Sequence, residues 1–522
     1  MIDTAAAEGS VGPRATRREW IGLAVIALPC LLASMDLTVL YLAVPALSRD
    51  LEPSSTQLLW ITDIYGFLIA GFLVTMGTLG DRIGRRRLLL IGATFFGLAS
   101  VLAAFSSTPE MLIATRALLG VAGATLAPST LSLIRNMFLD PQERTAAIGI
   151  WATSFSVGAA LGPLFGGFLL EAFWWGAVFL LAVPVMFLLL VLGPRLLPEF
   201  RDPNAGRLDL VSALLSLLAV LSVIYGLKQI AAYGVGPGAF LAIAGGVAFG
   251  IVFIRRQRGL ADPLIELRLF ARRSFSIPLA MNTLSIFVAF GVFLFIAQYL
   301  QLVLGLSPLL AGFWTIPSSC GFILGSMAAP GLARRWRPAD VMAGSLVVSA
   351  AGLVLLTQMD GSTGLAIVVI GSVLHAVGIS PVVTLGTDLI VGNAPAERAG
   401  AASAISETGA ELGGALGIAV LGSVGTAVYR RAFSAESLGG VPAEAVEAAR
   451  GTLGGALTVA QTIPPGPGDQ LVAVAREAFI HALATSAAIG AGVVLALAVL
   501  SVLMLRPGGA PHAVAARNRT SS

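Results

Sequence analysis

Charge is what this 522-residue chain has least of. Asp, Glu, Lys and Arg together make up 11% of it, where a soluble domain carries about 25%. So small a polar complement excludes a protein built mainly of soluble domains. Cysteine is nearly absent too. Cys30 and Cys320 both fall inside apolar runs and read as small packing residues, so neither a disulfide nor a thiolate metal site is expected. Three histidines, His375, His481 and His512, stand too far apart to suggest zinc. No metal site and no cofactor is expected. No G-x-x-x-x-G-K-[ST] phosphate loop occurs, which argues against an ATPase. No nucleophile motif or ligand spacing speaks for an enzyme. The first 18 residues are polar, so no cleavable signal peptide is expected and the first apolar run should direct insertion. The net charge of +4 implies no nucleic-acid partner, because the arginines sit in short loops between apolar runs.

What is present is hydrophobic: 57% of the residues, in recurring runs of about 20, each long enough to cross a bilayer. The expected fold class is an all-α membrane protein with fourteen transmembrane helices. Basic residues set its orientation. Of the 32 Lys and Arg, 25 fall in one set of loops and tails, six fall in the other, and Arg116 lies inside a span. That asymmetry places both termini in the cytoplasm.

The chain also repeats itself. Pro141-Gln-Glu143-Arg144 opens the fifth span and Pro395-Ala-Glu397-Arg398 opens the thirteenth. Gly158-Ala-Ala-Leu161-Gly162 is echoed by Gly409-Ala-Glu411-Leu412-Gly413, and Gly166 by Gly417. Two six-helix halves separated by two inserted helices follow from that register. The expected organisation is a tail at 1–19, a first half at 20–200, the inserted pair at 201–258, a second half at 259–505 and a tail at 506–522. A long connection at about 430–478 in the second half reads as an extracellular helical hairpin, either functional or a tolerated insertion.

The segment Gly77-Thr-Leu-Gly-Asp81-Arg82-Ile-Gly84-Arg85-Arg86-Arg87 packs glycines, an acid and four arginines between two apolar runs. Glycines let a turn close where the backbone needs positive φ or close approach. This segment resembles the helix 2–3 loop of major facilitator superfamily transporters. The resemblance implies a major facilitator fold with its substrate site between parallel halves. It also implies a gating role for Gly77, Asp81, Arg82, Gly84 and Arg85, with Asp81 capping or pairing with an arginine of a neighbouring helix. A basic loop that only fixes topology is the simpler alternative. The loop Leu332-Ala-Arg334-Arg335-Trp336-Arg337 stands where a second copy belongs, with the charge kept and most of the glycine lost.

Gly158, Gly162, Pro163, Gly166 and Gly167 resemble the antiporter motif of the same superfamily. Glycines four apart give a flat helix face for close packing, and Pro163 removes a helix hydrogen bond and permits a bend. Met35-Asp36-Leu-Thr38 through Pro45 resembles the helix-1 signature of drug:proton antiporters, with Tyr41 in the usual asparagine position. Trp60-Ile-Thr-Asp63-Ile-Tyr65 resembles helix 2 of quaternary-ammonium exporters, and Arg116 with Gly120 matches their helix-4 motif, Leu119 replacing the usual glutamine.

Ionisable groups inside spans are costly and so are functional candidates. Asp36, Arg116, Glu407 and Glu411 are the expected proton-coupling residues. Arg116 cannot lose its proton, so it acts on a carboxylate, Asp36 first among candidates, or forms a static ion pair. Glu407 and Glu411 share a helix face, and repulsion between them leaves one or both able to exchange protons. Asp388 reads as a helix-end or gating charge, Lys228 as a snorkelling residue and His375 as a packed polar group. Asp63, Trp60, Tyr65, Trp151 and Phe155 are the expected substrate-binding residues, with Phe293 and Trp314 as further candidate cavity aromatics. Acids and aromatic faces together suit lipophilic cations.

The resemblance covers nearly the whole chain and points to the fourteen-helix drug:proton antiporter family of QacA/SmvA/LfrA type. It implies a multi-pass cell-membrane protein that exports quaternary ammonium compounds, cationic dyes and other drugs in exchange for protons, and that works as a monomer. Export of one endogenous metabolite or antibiotic by the same mechanism is the alternative. A membrane-embedded enzyme or a non-transporting sensor is the remote one.

Overall fold

The computed structural model describes residues 13–505 apart from 54, 202–208, 234–235, 261–262, 266, 360–363, 396–398, 432–440, 442–445, 447–448 and 451. Both tails beyond those limits, Glu397, Arg398 and part of the 430–478 connection therefore lie outside the described residues, as do the side chains of Tyr41, Asp63, Pro163 and Lys228.

Helices α1 (Arg17–Leu51), α2 (Ser55–Ile83) and α3 (Arg85–Ala104) cross in turn. The fourth span is broken into α4 (Pro109–Gly123) and α5 (Leu126–Met137). After α6 (Pro141–Ala172), the sixth span is α7 (Ala177–Leu180) and α8 (Ala182–Leu196). Then come α9 (Leu210–Tyr233), α10 (Pro237–Gly259) and the short α11 (Arg268–Ala271). Helix α12 (Arg273–Gln298) runs on into a π-helical turn, Tyr299–Val303. The remainder is α13 (Pro308–Arg335), α14 (Pro338–Leu356), α15 (Gly364–Gly392), α16 (Ala399–Arg431), α17 (Leu453–Ala460) and α18 (Pro465–Met504). Fourteen spans among the described residues are long and apolar enough to cross a membrane.

Local chemistry sets the helix starts. Thr108, Asp140 and Ser307 each accept a hydrogen bond from a first-turn N–H, and each precedes a proline at the first helical position. Such a residue satisfies a donor that no helical carbonyl can reach, and proline there sacrifices no bond. Thr16 and Glu19 form a reciprocal cap on α1.

Two large cores result. One is drawn from residues 23–197 and the other from 281–498. Helix α9 packs against both α2 and α16 and bridges them, joining Ile224 to Phe67 and Ala70 of α2, with Leu412 and Ala415 of α16 against the cluster. Glycine-mediated contacts recur in the two cores. A Cβ at Gly158 of α6 would lie 2.1 Å from the Leu31 carbonyl oxygen of α1. One at Gly417 of α16 would lie 2.1 Å from that of Phe287 in α12. Gly166 likewise packs on Val39, while Gly167 faces open space.

Two expectations change. The tight turn expected over Gly77–Arg87 is narrower than that segment, because α2 continues to Ile83 and the break is confined to Gly84. Within this segment only Gly84 has a positive φ, 110°. The long connection after α16 holds the eight-residue α17, and its second arm is continuous with the last span, giving a 40-residue helix.

Candidate functional site

Arg116 is the centre of the buried polar structure. It lies on α4, is fully buried, and donates from Nη1 to Oδ2 of Asp36 on α1 at 2.5 Å. Its Nε donates to the Ile61 carbonyl of α2 at 3.2 Å. The guanidinium stands 4.7 Å from the centre of the Tyr65 ring and 5.8 Å from that of Phe179. Gly120, one turn along α4, lets α2 approach, since a Cβ there would sit 2.6 Å from the Tyr65 carbonyl oxygen. A cation enclosed this way has three kinds of partner: a carboxylate, a carbonyl dipole and a π face. Even if Asp36 takes up a proton, the other two remain.

Helix α16 brings its two glutamates to this neighbourhood from the other core. Glu407 is within electrostatic range of Cys30 on α1, and Glu411 is within range of Tyr65. Four residues apart, they also act on each other. Trp151 and Phe155 of α6 pack edge to face at 4.9 Å. Trp151 donates to Thr130 at 3.0 Å, and the Phe155 carbonyl accepts from Ser34 at 2.7 Å. Trp60 is 37% exposed near the far end of α2 and meets Phe67 edge to face. Asp63 lies one turn beyond it on the same helix. Of the other aromatics considered, Phe293 is exposed, while Trp314 packs against the second core.

The Asp81 residues form a second group at one end of the bundle. Asp81 pairs with Arg85, the first residue of α3, and both are buried. The pair lies against the start of α16, with Asp81 facing the Gly400 and Ala401 N–H groups. Gly77 and Gly400 are the necessary small residues. A Cβ on Gly77 would meet Ala404 at 2.5 Å, and one on Gly400 would overlap the Arg85 guanidinium at 1.2 Å. Gly84 is close to Glu199, whose carboxylate accepts from the Arg86 and Arg87 N–H groups at 3.1 and 3.2 Å.

Reading the sequence did not reveal the remaining contacts at this end. Arg144 of α6 donates to Asp388 of α15 at 2.8 Å, and Thr145 donates to its other oxygen at 2.7 Å. Arg135 of α5 donates to the Val391 and Ala394 carbonyls at the end of α15. Ser326 of α13 donates to the Gly149 carbonyl at 3.2 Å. Together with Arg85 on Gly400, these join the two cores on the Asp81 side of the Asp36–Arg116 pair. Arg144 was visible in the repeated Pro-x-Glu-Arg motif, and Asp388 as an acid within a span. Their partnership needed the tertiary structure. His375 hydrogen-bonds Ser349 at 2.8 Å inside the second core, apart from both groups.

Comparison with known proteins adds to this geometry. Residues 26–418 match the Major Facilitator Superfamily. The chain is 45% identical over 485 residues to the multidrug efflux pump LfrA of Mycolicibacterium smegmatis, covering 93% of this chain and 96% of that one. It is 38% identical over 483 residues to the methyl viologen resistance protein SmvA of Salmonella typhimurium, covering 90% and 95%. Among solved structures, a bacterial homolog of the human lysosomal transporter Spinster shares the fold, with a TM-score of 0.57 at 18% identity over 95% of this chain and 100% of that one.

Proposed function

From the premise that the chain belongs to the Major Facilitator Superfamily, we propose that it is a multidrug efflux pump that exports lipophilic organic cations in exchange for protons. The observation that carries this reading is the pairing of the fully buried Arg116 with the half-buried Asp36, with Glu407 and Glu411 facing its surroundings from the other core. The names of the relatives, a multidrug efflux pump and a methyl viologen resistance protein, support the substrate class.

Asp36 takes up and releases the coupling proton, and Arg116 is its partner when it is charged. With Asp36 charged, the ion pair is satisfied. With Asp36 protonated, Arg116 retains the Ile61 carbonyl and the Tyr65 ring. Glu407 and Glu411 present negative charge to a cation in the space between the cores, and a bound cation and a bound proton compete for that charge. Trp60, Tyr65, Trp151 and Phe155 offer aromatic surface, and Asp63 adds a second charge for dications. The Asp81–Arg85 pair and the Arg144–Asp388 pair act as a gate that breaks when the opposite side closes. Gly158, Gly162, Pro163, Gly166 and Gly167 set how closely α6 can slide on α1. We place the Asp81 end in the cytoplasm, with the pump a monomer in the cell membrane and both termini inside, because basic residues concentrate in the loops at that end.

The test is dye efflux from vesicles holding the purified protein, with a pH gradient imposed and no ATP. Gradient-driven export of several unrelated cations, lost in Asp36→Asn, is expected. Export of a single compound from a broad panel would favour a dedicated metabolite or antibiotic exporter. Transport that runs on ATP in the presence of an uncoupler would overturn the coupling.

A further inference from the structure

The structure assigns a second ligand site, outside the transport machinery: a groove for an anionic phospholipid in the leaflet at the Asp81 end. The groove lies between the start of α3 and the end of α8 and measures about 510 Å³. That is within the range of about 300–1,000 Å³ typical of small-molecule sites. Arg86, Arg87 and Arg201 supply its polar wall, and Leu90, Ile91 and Pro194 its apolar one.

Charge selects the occupant. Three guanidinium groups face one carboxylate, Glu199. That carboxylate is engaged by the backbone N–H groups of Arg86, Arg87 and Phe200 and pairs with the Arg86 guanidinium at 3.6 Å, which leaves the charges of Arg87 and Arg201 for a ligand. Arg86 is held by the Pro194 and Leu197 carbonyls at 3.2 and 3.1 Å. Its orientation is thereby fixed, while Arg87 and Arg201 are exposed. Guanidinium is the side chain best matched to a phosphate, because its planar fork donates two parallel bonds. Basic pockets between membrane helices are suited to anionic lipid headgroups for this reason.

Shape excludes a free anion as the natural occupant. The groove opens onto the seam between α3 and α8, where large apolar side chains face outward. Phe95 is 62% exposed on α3 and Phe187 is 67% exposed on α8, with Ile91, Leu98 and Val191 exposed alongside. In a chain with fourteen spans, that surface meets acyl chains. A molecule with a phosphate at one end and hydrocarbon at the other satisfies both walls. Its location also matters. Glu199 and Arg201 belong to the strap after α8 that wraps the α2–α3 junction, where Arg85 N–H donates to the Phe200 carbonyl at 3.0 Å. A lipid bridging Arg87 and Arg201 fastens that strap to α3 beside the Asp81–Arg85 pair.

The experiment is native mass spectrometry of the full-length protein, stripped of lipid in detergent and titrated with phosphatidylglycerol or phosphatidylethanolamine. Wild type should retain one phosphatidylglycerol in preference to phosphatidylethanolamine. The double variant Arg87→Gln, Arg201→Gln should bind it roughly 30-fold more weakly, given the strength of lipid-surface attraction per basic residue. Equal retention of phosphatidylglycerol by the double variant would overturn the site. So would a wild type that does not distinguish the two lipids, a comparison that needs no variant to fold. Excess inorganic phosphate should leave the bound lipid in place; displacement by phosphate would assign the groove to a free anion and reject the lipid.

Discussion

At the scale of single residues, the buried charges make the sharpest demands. Arg116 is fully enclosed and cannot deprotonate, so Asp36→Asn leaves a cation with a weaker partner. Breaking a buried pair from one side costs about 3–5 kcal/mol. The expected outcome is lost transport together with a clearly lower unfolding temperature in detergent. Replacing both, Asp36→Asn with Arg116→Gln, should recover much of the stability and none of the transport, which separates the structural from the functional role. Gly400 makes a different demand. Its hydrogen occupies space that a methyl would contest with the Arg85 guanidinium. Gly400→Ala therefore forces Arg85 away from Asp81, at about 1–3 kcal/mol of overpacking. Cysteine labelling near Ala404 should become faster as that end loosens, and unchanged labelling would show that Arg85 simply moves aside. Asp36, Arg116 and Asp81 were all legible in the sequence, because an ionisable group in an apolar run is conspicuous. The Gly400–Arg85 contact was not, since nothing in a glycine signals which distant side chain lies against it.

Among the elements, α9 and α10 have the least obvious role. Gln257 of α10 ties them down: its Nε2 donates to Ser212 of α9 at 2.7 Å, and its Oε1 accepts from the Leu264 N–H at 2.6 Å. Thr78 of α2 then donates to the Leu264 carbonyl at 3.2 Å. Helices α9 and α10 are thus linked, by three hydrogen bonds in series, to the helix that carries Asp81. Gln257→Leu orphans buried groups worth about 1–3 kcal/mol each. Hydrogen exchange should speed up at Leu264 and along the last turns of α2, and transport should slow without any change in which substrates are carried. Exchange confined to α10 would show that the linkage carries nothing. The count of spans followed from hydropathy alone. The break between α4 and α5 and the continuity of α18 did not, because both depend on what packs alongside, which a run of apolar residues does not encode.

For the whole molecule, the question is how two cores share one set of contacts. The Arg144–Asp388 pair joins them directly, so its charges can be exchanged. Arg144→Asp or Asp388→Arg alone places like charges together and should depress transport at least tenfold, equivalent to about 1.4 kcal/mol. The double swap should restore a substantial part. Two spin labels across the Asp81 end would show the single variants shifted toward longer distances and the swap returned. A swap no better than either single change would mean the pair does not couple the cores. The internal repeat announced two related sets of helices, whereas the side on which they meet emerged only from the assembled contacts. Geometry of another kind follows from α18. Its 40 residues extend about 60 Å at the helical rise per residue, twice a hydrocarbon core of about 30 Å. The surplus stands clear of the bilayer on the face opposite Asp81, with α17 packed against it. In electron micrographs of detergent-solubilised particles, most of a protein like this hides within its micelle and its two sets of helices project alike. An off-axis rod beyond the micelle breaks that pseudo-symmetry, so each particle image carries its own marker of top, bottom and in-plane rotation.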